Sequence, residues 1–384
     1  MDININNDLL SIMMLYSLSP SYENFRVAIE SRDTLPTPTE LKVKILEEAD
    51  ARGNDESRSA NEEAFYSKKQ GMTSPKRVER EIIDWTRFLS EVVYGVVLTV
   101  FYILKEILEL VIPPKQKSLQ GEHVLVTGAA RGLGREICLR LVKEGCRISA
   151  VDVLQDKVVE TVAMCNALRP NCAAAYVYDI TDKKQIEAMV SDLDPVDILI
   201  NNAGIVSSAS ILEVSEQSIQ RMFDVNVMSH FWTIRAFLPG MIERGKGHIC
   251  ATASAAAFTQ AENIAPYTAT KYAVTGLMLC LREEFRRAHP EIKITTLHPF
   301  FITPAASSPE HWTVNSRLPD VTAVQSANFM IDGIKKEKVT VTVPTHLYYL
   351  LQLLRWLPTP AGETWRDIFY AKIDSIEKKN GKTP

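Results

Sequence analysis

From Gly121 onward, short apolar runs rich in β-branched residues alternate with longer stretches of helical periodicity. Unbroken apolar strands separated by helices are typical of βαβ units, in which helices cover both faces of a parallel sheet. The sequence therefore predicts an α/β fold with a doubly wound parallel sheet. The predicted strands are His123–Thr127, Arg147–Val151, Ala174–Tyr178, Val196–Ile200, Gly247–Ala251 and Ile292–Leu297.

A glycine-rich turn, Thr127–Gly134, follows the first strand, and a helical pattern begins directly after it. Glycine at Gly128, Gly132 and Gly134 leaves room for a tight turn, a pyrophosphate and a close helix. The helix N-terminus then attracts the phosphates. Asp152 ends the second strand, where a carboxylate can accept both ribose hydroxyls of the adenosine half. This order predicts a dinucleotide site in a Rossmann fold.

Two charged residues bear on the choice of nucleotide. The carboxylate of Asp152 repels a 2′-phosphate and so favours NAD, whereas the guanidinium of Arg131 can pair with that phosphate and favours NADP. Because Asp152 occupies the discriminating position, we expect NAD to be preferred, with NADP as the alternative. The alternatives without a ligand are a solvated loop residue for Arg131 and a helix cap for Asp152.

Tyr267 and Lys271 are four residues apart, which places them on one face of a helix. A phenol titrates at roughly pH 10, and a neighbouring ammonium lowers the pKa of the phenol by favouring the phenolate. Ser254 follows the strand Gly247–Ala251, where its hydroxyl can hydrogen-bond a substrate carbonyl or alcohol. Each residue alone fits a packing or loop role, but beside a nucleotide site they indicate acid–base chemistry.

Together with Asn201–Gly204 and Asn226, these motifs occur in the order typical of the short-chain dehydrogenase/reductase family, which the chain resembles. The resemblance implies Tyr267 as general acid/base and Lys271 as modulator of its pKa and ligand of the nicotinamide ribose. It implies Ser254 as the residue that orients the reacting oxygen. Asn226 would hold a water that relays protons from Lys271, or, without the family context, make a helix-kink hydrogen bond.

The resemblance extends from about Gly121 to Ala323 and implies a set of cofactor-binding residues, in which Asp179 and Ile180 approach the adenine ring. One segment, Pro299–Pro304, departs from the family pattern: Phe300 replaces a glycine, and Thr303 stands one position early. The implied set is Gly128, Arg131, Gly132, Leu133, Gly134, Asp152, Asp179, Ile180, Asn202, Ala203, Gly204, Tyr267, Lys271 and Thr303.

Residues 1–75 have a different character. Two helical patterns, the second with Thr39 as its expected N-cap, are followed by a polar run at Ala51–Ser57 that indicates a linker. Residues 8–70 resemble the gag polypeptide of copia-type retrotransposons through LLSIMMLYSLSPSYENFRVAIESRDTLPTPTELKVKILEEADAR. No zinc-knuckle cysteines follow, so self-assembly and nucleic-acid binding are not implied, and a transposon-derived exon or a fused gene model is favoured.

The segment Phe88–Ile112 is the candidate membrane segment. Its uncharged part, Val92–Leu104, spans only about 20 Å as a helix, short of a hydrocarbon core of roughly 30 Å. We therefore expect a helix that is embedded from one side or spans marginally; the alternative is an amphipathic helix packed on the protein. Basic residues on both sides leave its orientation open. This segment and Val339–Pro344 resemble the subgroup with epidermal retinol dehydrogenase and the 17-beta-hydroxysteroid dehydrogenases of endoplasmic reticulum and lipid droplets.

Composition narrows the remaining choices. A formal net charge of −4 without a basic patch argues against nucleic-acid binding. The six cysteines are scattered without a C-x-x-C pair, which disfavours a metal site and indicates a reducing, cytosol-facing environment. The loop Pro304–Pro319 is expected to cover the site. The apolar stretch Leu347–Leu357 either dips into a membrane interface or serves as a core or dimer helix.

The expected organisation is a gag-like segment with linker (1–75), a membrane-anchor helix (76–118), a Rossmann domain (119–325) and a substrate-loop and membrane-associated extension (326–384). The expected function is hydride transfer between a nicotinamide cofactor and a lipophilic alcohol or carbonyl, such as a retinoid, steroid or long-chain alcohol. The alternative is a catalytically impaired nucleotide-binding protein of lipid-droplet surfaces. The expected partners are the substrate, a membrane or lipid-droplet surface and, in one alternative, a second copy.

Overall fold

A computed structural model describes residues 11, 14–16, 18, 22–31, 35–59, 75–109, 112, 114–302, 312–318, 320–369 and 371–375. The chain divides into two compact units, Met1–Pro113 and Pro114–Pro384. Each unit is described by itself. The finer boundaries expected from the sequence stay predictions.

The first unit is helical, with α1 at Glu23–Glu30, α2 at Pro38–Ser59 and α3 at Pro75–Glu109. Leu15, Ile29 and Leu41 form its small buried core, in keeping with the low count of apolar residues. Two expectations were wrong. The first concerns the start of α2, and the second concerns its length.

Helix α2 starts two residues earlier than expected because Thr37, and not Thr39, caps it. The Thr37 amide donates to Glu40 Oε2 at 2.9 Å, and the Glu40 amide donates to Thr37 Oγ1 at 3.4 Å. This reciprocal pair is a capping box, with Pro38 at the first helical position. The helix then continues to Ser59, through the polar run that was expected to be a linker.

Helix α3 contains a stretch, Arg87–Glu109, that is long and apolar enough to cross a membrane by length and composition. The stretch has 23 residues, and an 18-residue window within it has a mean hydropathy of 1.7, with none of that window buried. At 1.5 Å per residue the stretch measures about 34 Å, compared with a hydrocarbon core of roughly 30 Å. Whether the stretch enters a membrane or packs on the protein stays a prediction.

The second unit alternates strands with helices, and its main sheet has the parallel order β3-β2-β1-β4-β5-β6-β8. The doubly wound fold is therefore confirmed. Its elements are β1 (His123–Thr127), α4 (Gly132–Lys143), β2 (Arg147–Asp152), α5 (Gln155–Leu168), β3 (Ala173–Val177), α6 (Lys183–Asp192), β4 (Ile198–Asn201), α7 (Glu216–Phe223), α8 (Ser229–Glu243), β5 (Gly247–Thr252), α9 (Ala265–Ala288), β6 (Ile292–Pro299), β7 (Trp312–Ser316), α10 (Ala323–Lys335), β8 (Thr340–Val343), α11 (Thr345–Trp356), α12 (Thr359–Phe369) and β9 (Ala371–Ser375).

The strand order reverses between β1 and β4. Strands β2 and β3 lie on the far side of β1, and β5, β6 and β8 lie on the far side of β4. In open parallel sheets, ligands bind outside the carboxyl ends of the strands at such a switch point. The two faces of the sheet bury separate apolar clusters, one with Val124 and Ile137 and the other with Leu125 and Phe237. Alternate residues of the central strand β1 thus point into different cores, which explains why its three middle residues, Val124–Val126, are all apolar.

Strands β7 and β9 form a separate antiparallel pair, with Trp312 opposite Ser375 and Ser316 opposite Ala371. The sequence analysis placed the first of these strands in a covering loop and did not predict the second. Helix α11 has one face in the core and one exposed face, which agrees with the expected core helix and leaves the membrane contact a prediction. Leu347 and Leu351 are buried against the main core, whereas Trp356 on the same helix is 86% exposed.

Candidate active site

The glycine turn after β1 has a shape that side chains would prevent. Gly128 and Gly132 have φ of 67° and 55°, in the left-handed region that favours glycine. A Cβ on Gly134 would lie 2.0 Å from the Gly128 carbonyl oxygen, and a Cβ on Gly128 would lie 2.7 Å from Ala203 Cα. A Cβ on Gly132 would meet no atom within 4 Å. The turn is therefore packed tightly on its protein side and open on the cavity side.

The segment Asn201–Gly204 fixes this turn to the neighbouring strands. Thr127 Oγ1 accepts the amides of Asn202 at 3.0 Å and Ala203 at 3.1 Å. The Asn202 side chain donates to the Thr127 carbonyl at 3.0 Å and accepts from Thr252 Oγ1 at 3.2 Å. These bonds join the ends of β1, β4 and β5. The glycine turn is thereby held rigid where the phosphates of a dinucleotide would approach.

Asp152 lies at the end of β2 with both carboxylate oxygens accepting backbone amides. Oδ2 accepts from Ala130 at 3.0 Å, and Oδ1 accepts from Leu154 at 3.0 Å. The residue is half-buried and lines the same cavity as the glycine turn. Leu154, and not Asp152, is the N-cap of α5. Arg131 is exposed and makes no side-chain bond at the N-cap of α4.

Asp179 follows β3 and is oriented by a local turn. Its Oδ1 accepts from the Thr181 amide at 2.9 Å and from Thr181 Oγ1 at 2.7 Å, while its own amide donates to Gln185 Oε1 at 2.8 Å. Asp179 and Ile180 both line the cavity. They stand near the Asp152 end because β3 is the neighbour of β2 in the sheet.

Helix α9 carries Tyr267 and Lys271 one turn apart. Lys271 is 3% exposed, and its Nζ donates to the Thr252 carbonyl at 2.9 Å. The same Nζ lies 5.5 Å from the centre of the Tyr267 ring. Burial lowers the pKa of Lys271 to about 8. The ammonium therefore remains the main form at neutral pH, close to the phenol.

Ser254 follows β5 and starts a short 3₁₀ turn, Ala255–Ala257. The Ala256 amide donates to Ser254 Oγ at 3.1 Å, which orients the hydroxyl. Ser254, Tyr267 and Lys271 all line the cavity. The structure thus brings the three residues to the same part of the molecule.

Asn226 lies behind the cavity wall, fully buried in a π-helical turn, Asp224–Met228, between α7 and α8. Its side chain accepts from the Ile205 amide and donates to the Ile205 carbonyl, each at 2.8 Å, and also donates to Thr270 Oγ1 at 3.1 Å. The side chain therefore joins the π-helical turn to the loop after β4 and to α9. The proton relay implied by the family stays a prediction.

The cavity has a volume of about 1290 Å³ and extends along the carboxyl edge of the sheet. Thr303 lies outside the described residues, and Asn226 does not line the cavity. The predicted site residues that do line it are Gly128, Arg131, Gly132, Leu133, Gly134, Asp152, Asp179, Ile180, Asn202, Ala203, Gly204, Ser254, Tyr267 and Lys271.

The sequence analysis did not assign one wall of the cavity. Helices α11 and α12 contribute this wall, together with the residues after β6. The apolar spacing of Leu347–Leu357 could have identified it, because residues three and four apart share a helix face. The wall residues are Phe300, Phe301, Ile302, Leu347, Leu350, Leu351, Leu354, Arg366 and Phe369.

Phe300 occupies the position of the glycine in the family pattern. It is buried, its amide donates to the Val343 carbonyl at 2.9 Å, and its ring packs against Phe301 with 4.9 Å between ring centres. The β6 end is therefore paired to β8 through a core phenylalanine. The phenylalanine adds apolar surface to the cavity that Ser254, Tyr267 and Lys271 also line.

Comparison with known proteins agrees with this geometry. The family model for short chain dehydrogenase matches residues 122–312, and the model for the gag polypeptide of copia-type LTR elements matches residues 1–58. Human 17-beta-hydroxysteroid dehydrogenase 13 is 31% identical over 280 residues, which are 71% of this chain and 92% of the relative. Human epidermal retinol dehydrogenase 2 is 30% identical over 269 residues, 69% of this chain and 87% of the relative.

A solved structure is similar in fold. A short-chain dehydrogenase/reductase from Burkholderia phymatum in complex with NAD has a TM-score of 0.56 and 21% sequence identity. The match covers 62% of this chain and 94% of that chain. At this identity the likeness concerns the fold alone.

Proposed function

Because the chain belongs to the short-chain dehydrogenase/reductase family, we propose that it is a membrane-associated oxidoreductase of lipophilic alcohols or the corresponding carbonyls. The chain is an NAD(P)-dependent enzyme of this family. The observation that carries the finer proposal is the continuous cavity. It runs from the glycine turn, past Ser254, Tyr267 and Lys271, to the apolar wall of α11 and α12.

The residues at the nucleotide end fit a dinucleotide. The left-handed Gly132 leaves open space on the cavity side of the turn, and the N-terminus of α4 supplies amides and a positive dipole for phosphate oxygens. Asp152 would accept the adenosine ribose hydroxyls, because its carboxylate is held at the cavity edge by two amides. Its charge opposes a 2′-phosphate, so we propose NAD as the preferred cofactor.

The roles of the catalytic residues follow from their chemistry. When bound, the nicotinamide accepts a hydride from the carbinol carbon in oxidation, or supplies one to a carbonyl in reduction. Tyr267 takes the hydroxyl proton in oxidation and returns it in reduction. The Lys271 ammonium favours the phenolate of Tyr267 and so brings the phenol into the working pH range. Ser254 donates a hydrogen bond to the reacting oxygen.

The substrate end favours an apolar molecule. Leu350, Leu351 and Leu354 present aliphatic side chains from α11, and Phe301 and Phe369 add aromatic surface. Burial of apolar surface contributes roughly 25 cal/mol per Å² of favourable free energy, so such a wall favours the binding of a large hydrocarbon skeleton. The names of two relatives, 17-beta-hydroxysteroid dehydrogenase 13 and epidermal retinol dehydrogenase 2, support steroids and retinoids as substrate classes. The aliphatic wall extends the proposal to long-chain alcohols.

Helix α3 supports attachment to a membrane. Its apolar side chains are exposed, and charges at both ends of the stretch are paired, Arg87 with Glu91 at 3.1 Å and Lys105 with Glu109 at 3.8 Å. Paired charges can remain at the interface while the apolar middle enters hydrocarbon. We infer localisation to the endoplasmic reticulum or lipid droplets, with the catalytic unit facing the cytosol because all six cysteines are free thiols.

Tyr272 and Leu279, exposed on α9, offer a surface for a second copy.

The test is an oxidation assay of the full chain in detergent or lipid. We expect reduction of NAD⁺ with at least one member of a panel of retinol, estradiol and long-chain alcohols. Tyr267→Phe should lower turnover by about 10²–10⁴-fold while nucleotide affinity stays nearly unchanged, because the variant loses the transferred proton and not the nucleotide site.

The same assay separates the second candidate, a nucleotide-binding surface protein with impaired catalysis. The buried Phe300 in place of the family's glycine is the observation that favours it. Nucleotide binding without turnover of any panel member would support that candidate. Equal turnover by wild type and Tyr267→Phe would contradict the assignment of the general acid/base.

A further inference from the structure

The strand that precedes the altered segment ends in a histidine and a proline, His298 and Pro299. Strands β5 and β6 pair up to Thr252 and Leu297, and the Ala253 amide donates to the Leu297 carbonyl at 2.8 Å. Pro299 has no amide hydrogen and cannot supply the next backbone bond of this ladder. The backbone that leads to Ser254 therefore loses its main-chain support from β6 at this point.

The side chain of His298 supplies a bond where the backbone cannot. Its Nδ1 lies 3.2 Å from the Ser254 carbonyl oxygen. A carbonyl only accepts, so Nδ1 carries the proton and donates. The imidazole is 1% exposed. Burial lowers the pKa of His298 to about 4, against the opposing effect of this hydrogen bond and with a smaller contribution from the Lys271 charge. The ring is thus neutral at physiological pH.

The hydrogen bond from His298 acts on the turn that orients the Ser254 hydroxyl. The Ser254 carbonyl also accepts the Ala257 amide at 3.0 Å, and Ser254 Oγ accepts the Ala256 amide at 3.1 Å. Both bonds belong to the short turn that starts at Ser254. A carbonyl oxygen has two lone pairs, and the two donors, Ala257 and His298, use both. Without the His298 donor, the Ala257 amide alone holds the carbonyl. The turn that sets the direction of Ser254 Oγ is then less firmly fixed.

The same ring also connects the serine to the apolar wall. The rings of His298 and Phe258 pack with 4.5 Å between centres, and Phe258 packs edge-to-face against Tyr348 of α11 at 5.6 Å. Helix α11 lines the substrate end of the cavity through its leucines. His298 therefore lies at the junction of β6, the serine turn and the helix that would contact the substrate.

We propose that His298 is a positioning residue, which clamps the Ser254 carbonyl from the strand end where Pro299 cannot donate and thereby sets the direction of the Ser254 hydroxyl. This inference rests on the role proposed for Ser254. It adds a residue to the catalytic apparatus that touches neither substrate nor cofactor. It also assigns a function to a histidine that the sequence analysis did not single out.

Two variants test the donor specifically. His298→Leu keeps an apolar side chain and removes the donor; His298→Asn places an amide N–H at the same number of bonds from Cα as Nδ1. We expect kcat of His298→Leu to fall by about tenfold, the value of one hydrogen bond of roughly 1.4 kcal/mol, and His298→Asn to recover most of it. The dissociation constant for NAD should change by less than about twofold in both, since the nucleotide end is untouched.

Hydrogen exchange provides a readout that does not depend on turnover. Amides of the serine turn, residues 254–259, should exchange faster in His298→Leu than in wild type and at the wild-type rate in His298→Asn. His248→Leu is the matched control: His248 is also a buried strand histidine, bonded to Thr295 Oγ1 at 2.8 Å, but it lies at the amino end of β5. That variant should lose thermal stability without slower turnover or faster exchange in the turn.

The outcomes separate this inference from the proposed function. A wild-type chain that oxidises no panel alcohol contradicts the proposed function, and the exchange experiment then still decides whether His298 holds the turn. Wild-type kcat in a folded His298→Leu variant overturns the positioning role. Equal slowing in His298→Leu and His298→Asn, or unchanged exchange in His298→Leu, also overturns it.

Discussion

Burial of the Lys271 ammonium costs electrostatic free energy, and the role proposed for Lys271 depends on that buried charge. The ammonium is buried with the Thr252 carbonyl as acceptor, and burial lowers its pKa from the ordinary lysine value of 10.5 to about 8. Between these two values the unfolded chain binds a proton that the folded protein has released. The free energy of unfolding must therefore rise with pH across this window, by on the order of 2–3 kcal/mol.

We predict that this rise is specific to Lys271. In denaturant titrations at pH 7 and pH 10, wild type should gain stability relative to Lys271→Met, which has no proton to release. Turnover and nucleotide affinity should both fall in Lys271→Met, because the ammonium serves the phenol and the ribose. Lys184→Met, at an exposed lysine, is the control and should follow wild type. Parallel pH dependence of wild type and Lys271→Met would show that the buried amine does not titrate in this range.

Asp152 is predicted to decide between the two nucleotides. Asp152→Ala should raise affinity for NADP relative to NAD by at least about tenfold, because like charges placed together cost several kcal/mol. The variant also leaves the Ala130 and Leu154 amides without their acceptors. Asp152→Asn removes the charge and keeps one of the two acceptor oxygens, so comparison of the two variants shows how much of the change follows the charge. Fluorescence titration with both nucleotides measures the ratio. Tighter NADP binding by wild type would mean that Arg131 dominates.

The sequence identified residues whose spacing itself encodes a shared face or turn. Tyr267 and Lys271 fall on one helix face by their four-residue interval, and the glycines fall in one turn, so the structure brings them to one cavity. His298 lacked such a pattern. A histidine in an apolar strand before a proline looks like a core position until the missing amide of Pro299 and the position of the Ser254 carbonyl are known together.

At the scale of single elements, two helical glycines should respond oppositely to alanine. A Cβ on Gly134, in the first turn of α4, would lie 2.0 Å from the Gly128 carbonyl oxygen, so Gly134→Ala must displace the nucleotide turn. We expect a loss of about 1–3 kcal/mol of stability and weaker nucleotide binding. A Cβ on Gly276, in α9, would meet nothing within 4 Å, and Gly276→Ala should stabilise by roughly 0.5–1 kcal/mol.

Chemical denaturation and nucleotide titration of these two variants form one experiment. Because both changes add the same methyl group within a helix, their difference isolates the contact with the Gly128 carbonyl. A Gly134→Ala variant that binds nucleotide as tightly as wild type would show that the turn tolerates displacement. That result would remove the argument that the tight packing of the turn serves the phosphates.

Element prediction succeeded where one face or core determined the pattern. Five of the predicted parallel strands, β1, β2, β4, β5 and β6, are largely buried, so their apolar runs were unambiguous. Strands β7 and β9 are short and pair only with each other, across more than fifty residues of chain, and no local period reveals such a pair. For α2, the repeated Pro-Thr of residues 36–39 offered two possible caps, and the reciprocal partner Glu40 selected Thr37.

At the scale of the whole molecule, the two units match different family models, the first the gag polypeptide and the second the short chain dehydrogenase. The gag-like unit buries a small core of its own around Leu15, Ile29 and Leu41. Helix α3 belongs to this first unit by contacts, yet its exposed apolar stretch has the composition of an anchor. We therefore expect the attachment of the enzyme to membranes to depend on α3, separately from the catalytic unit.

The attachment prediction can be tested without deleting any chain. Burial of Val92–Leu104 in hydrocarbon contributes on the order of 10 kcal/mol, taking about 1 kcal/mol for each side chain. Val96, Val100 and Leu104 lie on one face of α3 and are more than half exposed, so lysine there costs little in folding. Three lysines at the centre of a membrane helix cost roughly 2.5–3.5 kcal/mol each, which cancels the gain. The triple lysine variant should move from the microsomal pellet or floating lipid-droplet fraction into the supernatant, as should a variant that lacks Phe88–Ile112.

Helix α11 offers the matched comparison, because it also exposes three large apolar side chains. Tyr349, Leu353 and Trp356 are 63%, 59% and 86% exposed, whereas their neighbours Leu347 and Leu351 are buried in the core. Lysine at the three exposed positions should leave most of the protein with the membrane, since a half-buried helix can contribute only a shallow contact. Flotation of both triple variants beside wild type decides the matter. Release by the α11 substitutions, with the α3 variant still bound, would transfer the anchor to the C-terminal helix.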